Sequence, residues 1–249
     1  MQILHVPDEL ISSLRSAKRV MVITGAGASK ESGLGTFRDE DGEWSRMNPM
    51  DMASPSGFSK NPPLVWKWYR HRRNEALQAI PNLGHLSLAS MEQHFDTFEI
   101  FTQNVDGLHQ RAGSKNVFEL HGSLHSYHCL DCSEPFKKDE PIDNEKPELC
   151  THCGGYIRPS VVWFTEALPI DVLTKAELAA KECDVFMSIG TSSEVFPANT
   201  FGTMASHYGA ITIEINPHPT IQSDLFTYKL PYESGKVLPM IVEQLKNKI

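Results

Sequence analysis

The sequence predicts an α/β fold, a parallel sheet with helices on both faces, carrying a smaller second domain. Three observations lead there. Short apolar and β-branched runs, led by Val20-Met21-Val22-Ile23, recur along the chain and read as strands buried on both faces. Helical patterns lie between or after them, an alternation that argues a parallel sheet. Two polar stretches, 33–63 and 123–159, interrupt the alternation and read as insertions that build the second domain over the sheet.

Taken in order, residues 7–17 form a helix, with Leu10, Ile11, Leu14 and Ala17 on one stripe. Residues 19–24 are the first strand, and further strands are expected at 97–102, 117–120, 184–189 and 210–215. Helices are expected at 63–79, 84–94, 173–181, 197–207 and 236–248. The large part of the molecule is then assigned to 1–32, 81–122 and 160–249. A helical module at 33–80 and a cysteine-bearing module at 123–159 make up the small part.

The 249 residues suit one or two domains. With 40% hydrophobic and 22% charged residues, a core of ordinary size is expected. Lys and Arg number 23 against 31 Asp and Glu, a net charge of −8, which argues against a nucleic-acid partner. No run approaches the roughly 18 to 20 apolar residues of a membrane span. Asp8 and Glu9 stand where a secretory signal has a basic start. The expectation is a cytoplasmic monomer in a reducing compartment, without a membrane partner.

Four of the five cysteines form two pairs, Cys129-x-x-Cys132 and Cys150-x-x-Cys153, seventeen residues apart. Such spacing matches a zinc ribbon. Four thiolates make a closed tetrahedral site, so one structural Zn2+ per chain is expected, with no open position for catalysis. His125, His128 and His152 lie nearby as competing ligands. Cys183 reads as a small buried hydrophobe.

The first strand runs into Gly25-Ala26-Gly27-Ala28-Ser29. Glycines there permit positive φ and close backbone approach, and a following helix would aim its N–H groups at a phosphate. The dinucleotide fingerprint is incomplete, because Lys30 occupies the place of the third glycine and no second strand ending in an acid follows. A hydride-transferring dehydrogenase fits poorly. A dinucleotide in another pose, its reactive end in the charged loop Gly35-Thr36-Phe37-Arg38-Asp39, fits better. Past the second strand come Gln103, Asn104 and Asp106, and past the third comes His121-Gly122. Ligands of open parallel sheets bind beyond the carboxyl ends of strands, so these side chains converge on one crevice. His121 is the candidate general base, while Asp106 also suits a helix cap.

These motifs, together with Glu119-Leu120-His121-Gly122, the two C-x-x-C pairs and Gly190-Thr191-Ser192, stand in the order of the sirtuins, and the chain resembles that family from about residue 20 to 216. The resemblance implies a Rossmann-like large domain, a small domain of zinc and helical modules, and NAD+-dependent removal of acyl groups from protein lysines. It implies that Gly25, Ala26, Gly27 and Ser29 approach the pyrophosphate, and that Phe37, Arg38 and Trp44 belong to the cofactor loop. Gln103, Asn104 and Asp106 would order the nicotinamide ribose, with Asn104 and His121 catalytic. Gly190, Thr191, Ser192 and Asn216 would hold the adenosine half. Val161, Val162 and Phe164 look like part of the segment that pairs with an extended acylated substrate peptide.

Tyr69 and Arg72 are three apart on a helical stretch, hence on one face. A phenol beside a guanidinium fork can bind a carboxylate. This Y-x-x-R, with the small Ala53, resembles the sirtuin class, found in bacteria, that accepts succinyl, malonyl and glutaryl lysine, and acetyl-lysine is expected as a further substrate. A solvated helix face is the competing reading of Tyr69 and Arg72. Mono-ADP-ribosyl transfer and a non-catalytic NAD- or acyl-peptide-binding module are the competing functions.

Overall fold

The computed structural model describes residues 4–36, 47–137 and 144–247. Its centre is strand β1 (Arg19–Thr24), whose last five residues are all buried. The period of two along this strand sends Val20 and Val22 into one apolar cluster and Met21 and Ile23 into the other, so both faces of the sheet are covered. Around it lie β2 (Thr97–Thr102), β3 (Val117–Glu119), β7 (Val185–Ile189), β8 (Ile211–Ile215) and β9 (Tyr228–Leu230). The spatial order is β3-β2-β1-β7-β8-β9 and every pairing is parallel. Strand order reverses between β1 and β7, which opens a crevice beyond their carboxyl ends.

One face is covered by α1 (Asp8–Ser16), α6 (Leu83–Met91) and α10 (Ser234–Lys246), through Leu10, Leu14, Leu88, Leu238 and Ile241 among others. The other carries α8 (Ile170–Glu182) and α9 (Thr200–His207), whose Ala176, Ala180, Phe201 and Ala205 pack on Phe101 and Phe186. Alanines on α8 let the helix sit close to the sheet, and each fully buried Phe or Ile contributes about 1.5–3 kcal/mol.

A second, antiparallel sheet orders β5 (Pro135–Phe136), β4 (Gly122–Cys129) and β6 (Ile157–Val161). Short helices α3 (Pro49–Met52) and α4 (Pro55–Lys60) precede the 17-residue α5 (Pro62–Gln78). Asn61 caps α5 by accepting from Leu64 N, and prolines fill its first positions. These helices and the second sheet share a third cluster that includes Phe58, Val65, Trp68, Tyr69, Leu124 and Trp163.

The parallel α/β sheet is as the sequence predicts. Strands β4, β5, β6 and β9 are additions: β4 is polar in half its positions, β5 is two residues long and β9 three. The helix after the glycine turn, α2 (Gly27–Lys30), is one turn only. Cys183 is half-buried against the second cluster rather than fully buried, with its thiol pushed up to about 12 by burial.

Candidate active site at the switch point

The loops leaving β1, β2, β7 and β8 are knitted together by side chains. Gln103 Nε2 donates to Thr191 Oγ1 at 3.0 Å, and Asn216 Nδ2 donates to Thr191 O at 2.8 Å. Asn104 Nδ2 reaches both Gly25 O and Ser29 Oγ at 3.0 Å. Asp106 uses both carboxylate oxygens. One accepts from Leu108 N at 2.9 Å, starting the short helix α7 (Leu108–Arg111), and the other accepts from Ser29 Oγ at 2.7 Å.

The glycines serve crowding rather than positive φ. A Cβ on Gly25 would lie 2.8 Å from Gly190 O, and one on Gly27 would lie 2.7 Å from the same oxygen. The amides of Gly25 and Gly27 donate to Ile189 O and Gly190 O, while the amide of the half-buried Ala26 between them has no backbone acceptor among the described residues. Gly190, at φ +59°, makes the turn opposite.

His121 follows β3, and its Nδ1 lies 3.1 Å from Gln103 O. A carbonyl only accepts, so the proton sits on Nδ1 and Nε2 keeps its lone pair. Burial holds the imidazole below its ordinary 6.5, opposed by the bond to Gln103. The ring is therefore neutral and basic at neutral pH. Gly122, at φ +73°, lets β4 pair directly with β6, because a Cβ there would run into Ser160 O. Val162 N donates to His121 O at 2.9 Å, which ties the base to the segment after β6.

That segment is clamped from beneath. The buried Arg158 donates through Nη1 and Nη2 to Glu166, and through Nη2 to Val161 O at 2.5 Å. Its guanidinium stacks on the Trp163 ring, 3.2 Å from the centroid, a cation–π contact. Trp163 Nε1 donates to Tyr69 OH at 2.8 Å. Phe164 N donates to Ala53 O at 2.8 Å. Ala53, Tyr69, Val161 and Trp163 share one apolar cluster, while Arg72 stands over the Trp68 ring at 5.1 Å.

The four thiols of Cys129, Cys132, Cys150 and Cys153 lie within 4.8 Å of one another. Sγ–Sγ separations of 3.4 to 3.8 Å approach the roughly 3.8 Å edge of a tetrahedron with Zn–S bonds of about 2.3 Å. Two of the nearby histidines are spent elsewhere: His128 Nδ1 lies 2.9 Å from Ser160 Oγ, and His125 Nε2 lies 2.9 Å from Asp106 O, while His152 is exposed and donates its backbone N–H to Cys150 Sγ.

Residues 25–197 match the model of the Sir2 family. The chain belongs to the Sir2 family. The NAD-dependent protein deacylase of Aquifex aeolicus (strain VF5) is 42% identical over 230 residues, covering 92% of this chain and 96% of that protein. A mutant Sir2 homologue solved in complex with ADP-ribose superposes with a TM-score of 0.93 at 38% identity, covering 97% of each chain. A Sir2 structure with a p53 peptide and NAD+ superposes at 0.85 with 30% identity, covering 98% of each.

Of the residues that the sirtuin resemblance names, the structure brings Gly25–Gly27, Ser29, Gln103, Asn104, Asp106, His121, Gly190–Ser192 and Asn216 to one crevice, with Ala53, Tyr69 and Val161–Phe164 beside it. Phe37, Arg38 and Trp44 lie outside the described residues. The sequence reading gives no role of its own to four buried residues around this crevice: Arg158, Trp163, His85 and His109. His85 and His109 are buried beneath the crevice with ring centroids 4.8 Å apart. Asn82 and His85 form a reciprocal capping box at the start of α6, and His109 Nε2 lies 2.9 Å from Thr24 Oγ1. An Asn three residues before a His ahead of an apolar run was the available signal.

Proposed function

We propose that this chain, an NAD-dependent protein deacylase, removes succinyl, malonyl and glutaryl groups, and acetyl groups as well, from lysine side chains of protein or peptide substrates. The observation that carries the acidic-acyl reading is the pairing of Tyr69 with Arg72 one helical turn on, beside the small Ala53 and the Trp163 indole. Burial pushes the Tyr69 phenol well above its ordinary range, the Arg72 charge opposing, so it stays a neutral donor. A phenol proton and a guanidinium answer a carboxylate at the end of an acyl chain.

NAD+, when bound, supplies an electrophilic ribose carbon on loss of nicotinamide and takes the acyl group away as O-acyl-ADP-ribose. The crevice residues fit it: Ala26 offers an unspent amide at the strand end, and Asn104 and Asp106 hold the turn with two bonds each. Gly190, Thr191, Ser192 and Asn216 line the adenosine side in this reading, and Gln103, on the nicotinamide-ribose side, is bonded to Thr191. His121 takes a proton at Nε2 from a hydroxyl in the crevice, while Nδ1–H stays on Gln103 O. The substrate peptide lies extended along Val161, Val162 and Phe164 and adds a strand there. Zinc on the four cysteines holds the small sheet and takes no part in the chemistry.

The reading is tested by mass spectrometry of acetyl-, succinyl- and glutaryl-lysine peptides incubated with and without NAD+. Arg72→Met is expected to cost desuccinylation roughly ten- to a hundredfold more than deacetylation, the worth of one charge-assisted contact. Equal losses on both peptides overturn the acidic-acyl reading. Turnover surviving in His121→Phe overturns the assignment of the base.

A further inference from the structure

Tyr69 is almost wholly buried, yet its hydroxyl has one described partner, the Trp163 indole. An indole N–H only donates. The phenol oxygen must therefore accept from Trp163, and the phenol's own proton is left with no acceptor among the described residues. An O–H in that state is costly unless something supplies a lone pair. The indole is itself held in place. Arg158 stacks on its face at 3.2 Å and spends its donors on Glu166, Val161 O and Pro159 O. Glu166 in turn accepts from Trp163 N at 2.7 Å.

We infer that Trp163 is a specificity-determining positioning residue: its Nε1–H pins the Tyr69 oxygen from one side, so that the phenol proton is presented to the carboxylate of an acidic acyl chain. The inference rests on the acidic-acyl reading and adds a residue that the Y-x-x-R pattern does not contain. An acetyl group has no oxygen at that depth, so the Trp163–Tyr69 bond acts on chain selection and not on the common chemistry. Because the contact to the carboxylate persists from bound substrate to transition state, its loss raises KM for the acidic substrate and leaves kcat comparatively unmoved.

The test compares succinyl- and acetyl-peptide kinetics in Trp163→Phe, Tyr69→Phe, the double variant and Arg72→Met. A further protein carries benzothienylalanine at 163, which keeps the bicyclic shape and lacks the N–H. Trp163→Phe and the benzothienyl protein are expected to lose roughly tenfold to a hundredfold in kcat/KM on the succinyl peptide, mainly in KM, and at most about threefold on the acetyl peptide. The Trp163→Phe and Tyr69→Phe losses should not add, since both remove the same contact. Equal losses on the two peptides, losses confined to kcat, or additive losses overturn the inference. A selective Arg72→Met beside an unselective Trp163→Phe overturns it while the acidic-acyl reading stands. An unselective Arg72→Met overturns the acidic-acyl reading, and the inference that rests on it falls with it. If neither is selective, both fall.

Discussion

Acidification should unfold this protein through His109, and the size of the effect follows from its burial. The imidazole is 1% exposed. Burial, with the neighbouring His85 adding to it, holds it down at about 3 against an ordinary 6.5. Below pH 6.5 the unfolded chain therefore binds a proton that the folded chain refuses, so stability falls as pH falls. Between pH 7.5 and 5 this one group costs about 2 kcal/mol, by integrating the linkage between those two values. His109→Gln keeps an N–H for Thr24 Oγ1 and cannot titrate. Urea unfolding followed by tryptophan fluorescence at several pH values should show the wild type losing about 2 kcal/mol more than the variant across that range. Every other residue is common to both proteins, so the difference between them reports position 109 and its contact with His85. Parallel pH profiles for the two proteins would refute the reasoning.

The neighbouring features make further predictions. Gly122→Ala forces a Cβ against Ser160 O at φ +73°, so it should cost at least about 2 kcal/mol in urea unfolding and most of the turnover. Unaltered stability would contradict the crowding argument. Because burial lowers the His121 imidazole, the acid limb of kcat/KM should fall at an apparent value below 6.5, and a limb above it would remove His121 as the titrating base. Chelation should release one zinc per chain, counted by a metal dye, and lower the melting temperature. A metal-free protein with the parent melting curve would show that the four cysteines do not hold the small sheet.

The parts of the fold that were legible are those where burial is two-sided. Val20 to Ile23 is apolar at every position because helices cover both faces of β1, and a continuous apolar run can be read without knowing its neighbours. Strand β4 was opaque for the opposite reason: Gly-Ser-Leu-His-Ser-Tyr-His-Cys has one sheltered side and an irregular register between Ser123 and Tyr127, so no period survives. In the crevice, the clustering of Asn104 and Asp106 was legible from their place just past a strand end, but their bonds to Gly25, Ser29 and Leu108 were not. The glycine turn was legible as a site but not as a mechanism, since the close approach is to Gly190, 163 positions further on from Gly27. Arg158 and Trp163 were missed because a buried guanidinium and an indole N–H declare their function only through Glu166 and Tyr69, which the chain brings to them from elsewhere.

One ladder explains why a structural metal belongs in this enzyme. Strand β4 ends at Cys129, a zinc-site thiol, and begins at Gly122, next to His121. Its partner β6 starts at Ile157, opposite Cys129, and ends at Val161, opposite Gly122. At about 3.3 Å per residue the five residues of β6 span roughly 13 Å, with the thiol cluster at one end and His121 and the segment after β6 at the other. Beyond that end, Val162 N bonds to His121 O and Phe164 N bonds to Ala53 O, so His121, the segment after β6 and Ala53 share one hydrogen-bonded frame. A two- or three-stranded sheet of this size is marginal alone. Four thiolates closing its far end fix the register, and register sets which side chains face the crevice. The metal thus acts on structure alone, by holding the strand pairing at whose other end His121 stands.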